Sequence, residues 1–269
     1  MAQIQHAAYS SGHDAAVLRT HAWRTVDNSA PYVKDFLKPD MKILDVGCGP
    51  GSITVDLATY VPNGHVTGVE NVEAPLEAAR AQALERGVKN ADFMVGDALA
   101  LPFPDASFDI THAHQVLQHT GDPVRMLREM RRVTKPGGFV ACREADHGSF
   151  VWYPVSQGMS DWLELSTRVA RADGREPHAG RQLHVWAREA GFDPAQMTTS
   201  VGTWCFRTKE EREYWGGAWK NRVLSGSFAT SALSKGFATQ EDLERMSQAW
   251  KDWVACDDGW FGVLHGQMP

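Results

Sequence analysis

Residues Ile43 to Ile53 read ILDVGCGPGSI: a short apolar run, an aspartate, then three glycines packed into five positions. Ile43, Leu44 and Val46 read as a parallel strand buried on both faces, and glycines directly behind such a strand let the backbone turn sharply and approach a ligand. The next residues, SITVDLATYV, continue as a helix that Pro62-Asn63-Gly64 closes. Strand, loop and helix make the first unit of an open α/β sheet, and the loop is its binding element.

The same rhythm repeats downstream. HVTGVE is a second strand ending at Glu70, and EAPLEAARAQALERG is a helix of strong formers stopped at Gly87. ADFMVGDA and SFDITHAHQVL are the third and fourth strands. DPVRMLREMRRVT is a helix capped by Asp122 with Pro123 in its first turn, and GGFVACREA is the fifth strand. Repeated βα units predict a doubly wound, Rossmann-like parallel sheet. After Ala145 the pattern breaks: DHGSFVWYP and MSDWLELSTRVARADG interpose a Trp- and Tyr-rich helical segment before RQLHVWAREAGF resumes a helix. AQMTTSVGTWCF is a further strand, two polar Trp-bearing helices follow around EEREYWGGAWKNRVL and TQEDLERMSQAWKDWVA, and GWFGVLHG closes as a strand. With no repeat or flexible linker, the reading is one domain over 1–269. It has an N-terminal helical segment at 1–40 (DAAVLRTHAWRTV, APYVKDFL), a ligand-binding core at 41–148, a helical cap insertion at 149–180, and the remaining core with further helices at 181–269.

Composition narrows the function. A net charge of −6 on 269 residues gives no basic footprint, which argues against a nucleic-acid partner. The opening MAQIQHAAYSSGHDAAVLRT lacks a basic start followed by an apolar core, and no apolar run is long enough to span a bilayer. The expectation is a soluble, cytoplasmic protein with a small-molecule substrate and no membrane partner. The oligomeric state stays open, with a homodimer as one option. Cys48, Cys142, Cys205 and Cys256 lie far apart with no C-x-x-C pair, so neither a disulfide framework nor a metal site is expected.

The glycine loop discriminates among ligands. A dinucleotide fingerprint reads G-x-G-x-x-G, but here Gly47, Gly49 and Gly51 are followed by Ser52, and Asp45 sits two residues ahead of the first glycine. A carboxylate there repels pyrophosphate and favours a ligand that carries positive charge. Glu70, at the end of the second strand, is placed to accept hydrogen bonds from the 2′- and 3′-hydroxyls of a ribose. Asp97, just after the third, is placed to accept from an adenine amino group, with the backbone of Ala98 against the ring. A cation-tolerant loop, a ribose acid and an adenine acid together describe S-adenosylmethionine.

The series ILDVGCGPGSI, VTGVENVEAPLEAAR, VGDALALPFPDASFDITHAHQVLQH and MLREMRRVTKPGGFV resembles the class I S-adenosylmethionine-dependent methyltransferases, and within them the ubiquinone/menaquinone-biosynthesis group. The resemblance covers about residues 40–145 and implies seven strands with the last antiparallel. It also implies that the loop with Asp45, Gly47, Cys48 and Gly49 holds the methionine part. Glu70, Asn71 and Val72 would then hold the ribose and one adenine face, and Gly96, Asp97 and Ala98 the adenine edge. His114 and Gln115 match positions that line the sulfonium side. Resemblance and chemistry together place Tyr9 and Arg24 over the cofactor, with Arg24 on its carboxylate. The second strand departs from the common pattern, ending in Glu70-Asn71 where Asp and a small residue are usual, but Glu can still grip a diol. The opening GHDAAVLRTHAWRTVDNSAPYV looks more like methyltransferases of specialised metabolism.

Methyl transfer needs alignment and exclusion of water more than acid–base machinery. For a phenol or carbon acid, candidate bases lie near the ends of strands four and five: His112, His114, His119, Glu144, Asp146 and His147. His119 is favoured as the catalytic base on the ground that a neutral imidazole has a suitable pKa. His147, Trp152 and Tyr153 are candidate substrate contacts. His112 and His114 share a strand face but lack a third ligand for a metal, and Arg143 and Glu144 are read either as ion-paired to neighbours or as touching substrate. Trp215 with Trp219 and Trp250 with Trp253 stand at helical spacing and read as packing stripes. The expected activity is methylation of oxygen or carbon on a small aromatic or apolar acceptor. Rival readings are isomerisation or cyclisation on bound S-adenosylmethionine, a nicotinamide oxidoreductase, and an interaction module built on the Trp-rich half.

Overall fold

The structure is a computed structural model that describes residues 23–268. Strand β1 (Lys42–Val46) has parallel neighbours on both edges and buries Ile43, Leu44 and Val46 completely, Leu44 and Val46 in one hydrophobic cluster and Ile43 in another. The flanking strands are β2 (His65–Glu70) and β4 (Phe108–His114), and β3 (Ala91–Val95) pairs parallel with β2. Strand β5 (Thr134–Ala145) lies parallel to β4, with an irregularity between Phe108 and Ile110. The last strand, β8 (Trp260–Met268), runs antiparallel between β5 and β7 (Ser200–Phe206). The sheet has eight strands rather than seven. The additional one, β6 (Val151–Tyr153), is three residues long and pairs with Trp260–Gly262, too short a piece to stand out from the surrounding aromatic segment.

Helix α1 (Val26–Ser29) is capped by Thr25, and APYVKDFL forms a 3-10 turn at Pro31–Phe36 rather than an α-helix. Pro39 follows too soon for α-helical turns to stack, and short runs favour the tighter form. Residues 14–22 of the first expected helix lie outside the described residues. Helices α2 (Ser52–Tyr60), α3 (Ala74–Glu85) and α4 (Pro123–Val133) follow their strands as expected, Asp122 capping α4 by accepting from the Arg125 amide.

The second half builds a helical layer. Helix α5 (Gln157–Ala172) is capped by Ser156, α6 (Leu183–Glu189) packs beside α4, and α7 (Lys209–Arg222) carries a capping box between Thr208 and Glu211. Helix α8 (Gly226–Ser234) falls between the two expected Trp-bearing helices. Its sequence, GSFATSALS, reads as a loop, yet Ala229 and Ala232 bury into the aromatic core, and packing overrides weak propensity. Helix α9 (Gln240–Ala255) packs on both α7 and α5, so the 209–255 helices form one layer with the segment read as the cap. Trp162, Trp250 and Trp253 are completely or almost completely buried there, the packing role their spacing predicts for Trp250 and Trp253. No helix among the described residues is long and apolar enough to cross a membrane.

Candidate cofactor and acceptor site

The C-terminal ends of β1, β2 and β3 meet at the glycine loop, where open α/β sheets bind ligands. Gly47 and Gly51 take φ of +70° and +77°, and a Cβ on either would sit 2.5 Å from Val116 Cγ2 or 2.6 Å from Ala79 Cβ. The loop therefore has its shape because nothing larger fits. The Gly47 and Cys48 amides donate to the Val69 carbonyl at 2.7 and 3.0 Å. The Gly49 amide donates to Glu70 Oε2 at 3.1 Å, and the Asn71 amide to Glu70 Oε1 at 2.8 Å. Glu70 thus clamps the loop to the end of β2 and, with two lone pairs per oxygen, keeps capacity for a diol. Asn71 and Val72 are exposed beside it. The Gly96 amide donates to the Glu70 carbonyl at 2.9 Å, which brings the third segment in. Asp97 is exposed and accepts from the Leu99 amide at 2.8 Å through Oδ1, and Oδ2 has no hydrogen-bond partner among the described residues. Ala98 is half-buried next to it.

Asp45 plays a different part from the one the sequence indicates. Register sets it opposite His112, and its oxygens take the His112 ring at 2.8 Å and the Thr54 hydroxyl at 2.6 Å. Buried at 3% exposure, it braces β1, β4 and α2 behind the loop. His112 belongs to this brace rather than to proton transfer. Burial pushes the Cys48 thiol up, with Asp45 and Glu70 adding to the effect, so it stays a neutral packing group against Gly68.

A second cluster forms at the end of β4. Gln115 takes the left-handed region at φ 57°, and its amide donates to the Arg143 carbonyl at 2.8 Å. Its side chain joins a line of contacts: Arg143 Nη2 to His265 Nδ1 at 3.1 Å, His265 Nε2 to Gln115 Nε2 at 2.9 Å, Gln115 Oε1 to Arg24 Nη2 at 3.0 Å. Arg24 Nη1 also lies 3.4 Å from His114 Nδ1. Burial first, then the neighbouring arginines, hold His114 and His265 well below the usual histidine range, so both rings are neutral. The Arg24 guanidinium at the end of this line is a planar donor set, and its chemistry fits the carboxylate of the amino-acid end of S-adenosylmethionine. Trp204 backs the cluster: Arg143 and Arg24 lie 5.2 and 5.5 Å from its ring, and its indole donates to the Asn28 carbonyl at 2.6 Å. Tyr9 lies outside the described residues.

The third group lies past β4 and β5. Glu144 is completely buried; Oε1 accepts from the Val116 and Leu117 amides at 2.8 and 2.7 Å, and Oε2 from Gln118 at 3.4 Å. Burial pushes its carboxyl up to about 8 against those three donors. It holds the turn that carries His119. Arg143 donates to the Asn28 carbonyl at 2.9 Å, so neither residue is in an ion pair with the other and both are framework. Asp146 likewise takes Arg181 at 2.5 and 2.7 Å and the Gly148 amide, fixing the loop of His147. His119 and His147 are each pushed down to about 3, by burial first and then by Arg175. Both rings are neutral near pH 7, and an imidazole with so low a pKa is a weak base. Trp152 stacks on Phe261 with ring centroids 5.9 Å apart, within the aromatic core. Tyr153 is not brought to the histidines: it is 52% exposed, and its carbonyl accepts the Trp253 indole. Arg175, Arg222, Trp204 and His265 were not singled out by sequence. Among the described residues, no three His, Cys, Asp or Glu are grouped to hold a metal.

Sheet order, glycine loop and the acids after β2 and β3 define a class I S-adenosylmethionine-dependent methyltransferase. A methyltransferase-domain family model matches residues 37–191, more than half of the chain. An uncharacterised methyltransferase of Schizosaccharomyces pombe is 38% identical over 267 residues, covering 97% of this chain and 95% of its own. A demethylmenaquinone methyltransferase of Lactococcus lactis is 42% identical over 114 residues, covering 42% of this chain and 45% of its own. Phosphoethanolamine N-methyltransferase 2 of Haemonchus contortus, solved with S-adenosylhomocysteine, shares the fold with a TM-score of 0.54 at 18% identity, covering 88% of this chain and 51% of its own. The chain belongs to this methyltransferase family, and S-adenosylmethionine is its cofactor.

Proposed function

We propose that the enzyme methylates oxygen or carbon of a small aromatic or apolar acceptor held between the ends of β4 and β5 and the Trp-rich helices, in a reaction of specialised metabolism. The observation that carries this reading is the placement of His119 and His147 at the foot of an aromatic layer: His147 lies 4.8 Å from Phe150, which stacks on Trp162 at 6.4 Å. When bound, S-adenosylmethionine supplies an electrophilic methyl carbon on a sulfonium.

The residues divide the work. Gly47, Cys48 and Gly49 shape the loop that faces the methionine part, Glu70 takes the ribose, and Asp97 with the backbone of Gly96 and Ala98 takes the adenine edge. Arg24, fixed by Gln115, takes the carboxylate. His119 and His147, neutral, orient the acceptor by hydrogen bonding, and the buried aromatic wall keeps water from the reacting atoms. The same reading places the protein in the cytoplasm, with no nucleic-acid partner, and leaves the oligomeric state open, with a homodimer as one option.

The test is incubation with S-adenosylmethionine and a panel of phenols, enols and aromatic acids, read by mass spectrometry. A product heavier by one methylene, with S-adenosylhomocysteine formed in equal amount, supports the reading. An acceptor rearranged without S-adenosylhomocysteine would point instead to isomerisation or cyclisation.

A further inference from the structure

We propose that the protein forms a homodimer in which two copies pack face to face through the bare side of β6, β8 and β7. The interface depends on neither the cofactor nor the acceptor assignment.

At the start of β8 three strands run abreast. Val151 of β6 and Cys205 of β7 both sit opposite Gly262, Tyr153 sits opposite Trp260, and Thr203 sits opposite Leu264. Side chains alternate along a strand and paired residues point the same way, so these residues and Val201 share one side of the sheet. Contacts agree with the register: a Cβ on Gly262 would meet Val151 Cγ2 at 3.1 Å and the Trp260 ring at 3.2 Å. The opposite side is the aromatic core, where Trp204, Phe206, Phe261 and Val263 are buried.

The layer that covers this side farther along β8 stops short. At the end of the strand Met268 lies in one hydrophobic cluster with Ala179 and Leu183, and a Cβ on Gly266 would run into the Gly180 backbone. Toward Trp260 that cover is gone. Val151, Tyr153, Val201 and Trp260 are between 37% and 60% exposed, and Thr203 and Cys205 are exposed beside them. At about 150–250 Å² per side chain, the four large residues alone present roughly 400 Å² of surface in one patch. A stable interface takes about 800 Å² from each partner, so the patch supplies the core of one and its margin the rim.

Charge selects a second copy as the occupant. The strands read VWY, SVGTWCF and WFGVLHGQM, with no Lys, Arg, Asp or Glu, in a chain that has 27 basic and 33 acidic residues. A partner recognised by charge finds nothing to pair with on this face. Two chains of net charge −6 repel over the rest of their surface, but here an identical face brings no like charge and matches in polarity. A contact of one patch with itself is two-fold, so it closes at two copies.

The test is sedimentation velocity of the full chain from about 1 to 100 μM, as wild type and as Val151→Glu and Val201→Lys. The wild type should reach twice the mass of one chain, and each variant should weaken the dimer at least about tenfold, because the new charge is buried without a partner. Both positions are exposed in the single chain, so the variants should keep wild-type thermal unfolding at low concentration. A second readout needs no substitution: alkylation of Cys205 by iodoacetamide should slow as the wild type is concentrated through the transition. A wild type that stays a single chain up to about 100 μM overturns the inference. In that case cosedimentation with phosphatidylcholine vesicles would give the face to a lipid surface, and slow Cys205 alkylation at every concentration would give it to residues 1–22. A dimer that survives both substitutions, or that leaves Cys205 alkylation unchanged, overturns it as well.

Discussion

Glu70 Oε2 accepts a hydrogen bond from the Gly49 amide at 3.1 Å, so the residue assigned to the ribose also fixes the loop assigned to the methionine part. One side chain therefore couples two halves of the cofactor site. Replacing it should damage both at once, whereas Asp97, which braces only its own turn through Leu99, should act locally.

Glu70→Gln keeps one acceptor oxygen but loses the charge. Its S-adenosylmethionine affinity should fall less than that of Glu70→Ala, which should lose about tenfold or more, the scale of a charge-assisted hydrogen bond. Equal affinities for the two variants would show that the carboxamide cannot replace any of the clamp.

Arg24→Ala removes the cation that the proposed function sets against the cofactor carboxylate, and one end of the line through Gln115 and His265. S-adenosylmethionine should bind about tenfold more weakly, while decarboxylated S-adenosylmethionine should bind wild type and variant alike. A variant that weakens both ligands equally would move Arg24 from ligand contact to framework.

His112→Ala strips the buried Asp45 of its 2.8 Å partner, leaving a carboxylate with only the Thr54 hydroxyl. Denaturant unfolding should show a loss of about 2–3 kcal/mol, typical of a lost bond to a buried charged group. A loss below about 0.5 kcal/mol would mean that the His112 contact contributes little to the brace.

Acid stability follows from the buried histidines. His119 and His147 are pushed down from 6.5 to about 3, so below 6.5 the unfolded chain takes up protons that the folded chain refuses until about pH 3. Their contribution is complete above 6.5 and is lost as pH falls through that window, by about 1.4 kcal/mol per pH unit per histidine. His119→Gln with His147→Gln should flatten the slope of stability between about pH 6 and pH 4 relative to wild type. Parallel slopes would contradict the burial of neutral rings.

Much of this was legible in sequence because it is local. The buried run Ile43–Val46, the glycines behind it and the acids closing β2 and β3 each depend on a few adjacent residues, and parallel pairing brings those ends together whatever the rest of the chain does. The pairing of Asp45 with His112 depends on register, so its charge was readable but its partner was not. Trp204 and His265 come to the Gln115 cluster only through the antiparallel pairing of β7 with the inserted last strand, contacts that no local pattern announces. Helix α8 has the composition of a loop and is ordered by the tryptophans it covers. His119 was found by its place after β4, but its weak basicity comes from burial and from arginines distant in sequence.

The most direct measurement is calorimetric titration of the wild-type protein with S-adenosylmethionine, beside Glu70→Ala and Asp97→Ala. The account predicts one saturable site in the wild type, weakened by about tenfold or more in Glu70→Ala and by less in Asp97→Ala. Wild-type affinity retained in both variants would contradict the assignment of the cofactor to the ends of β2 and β3.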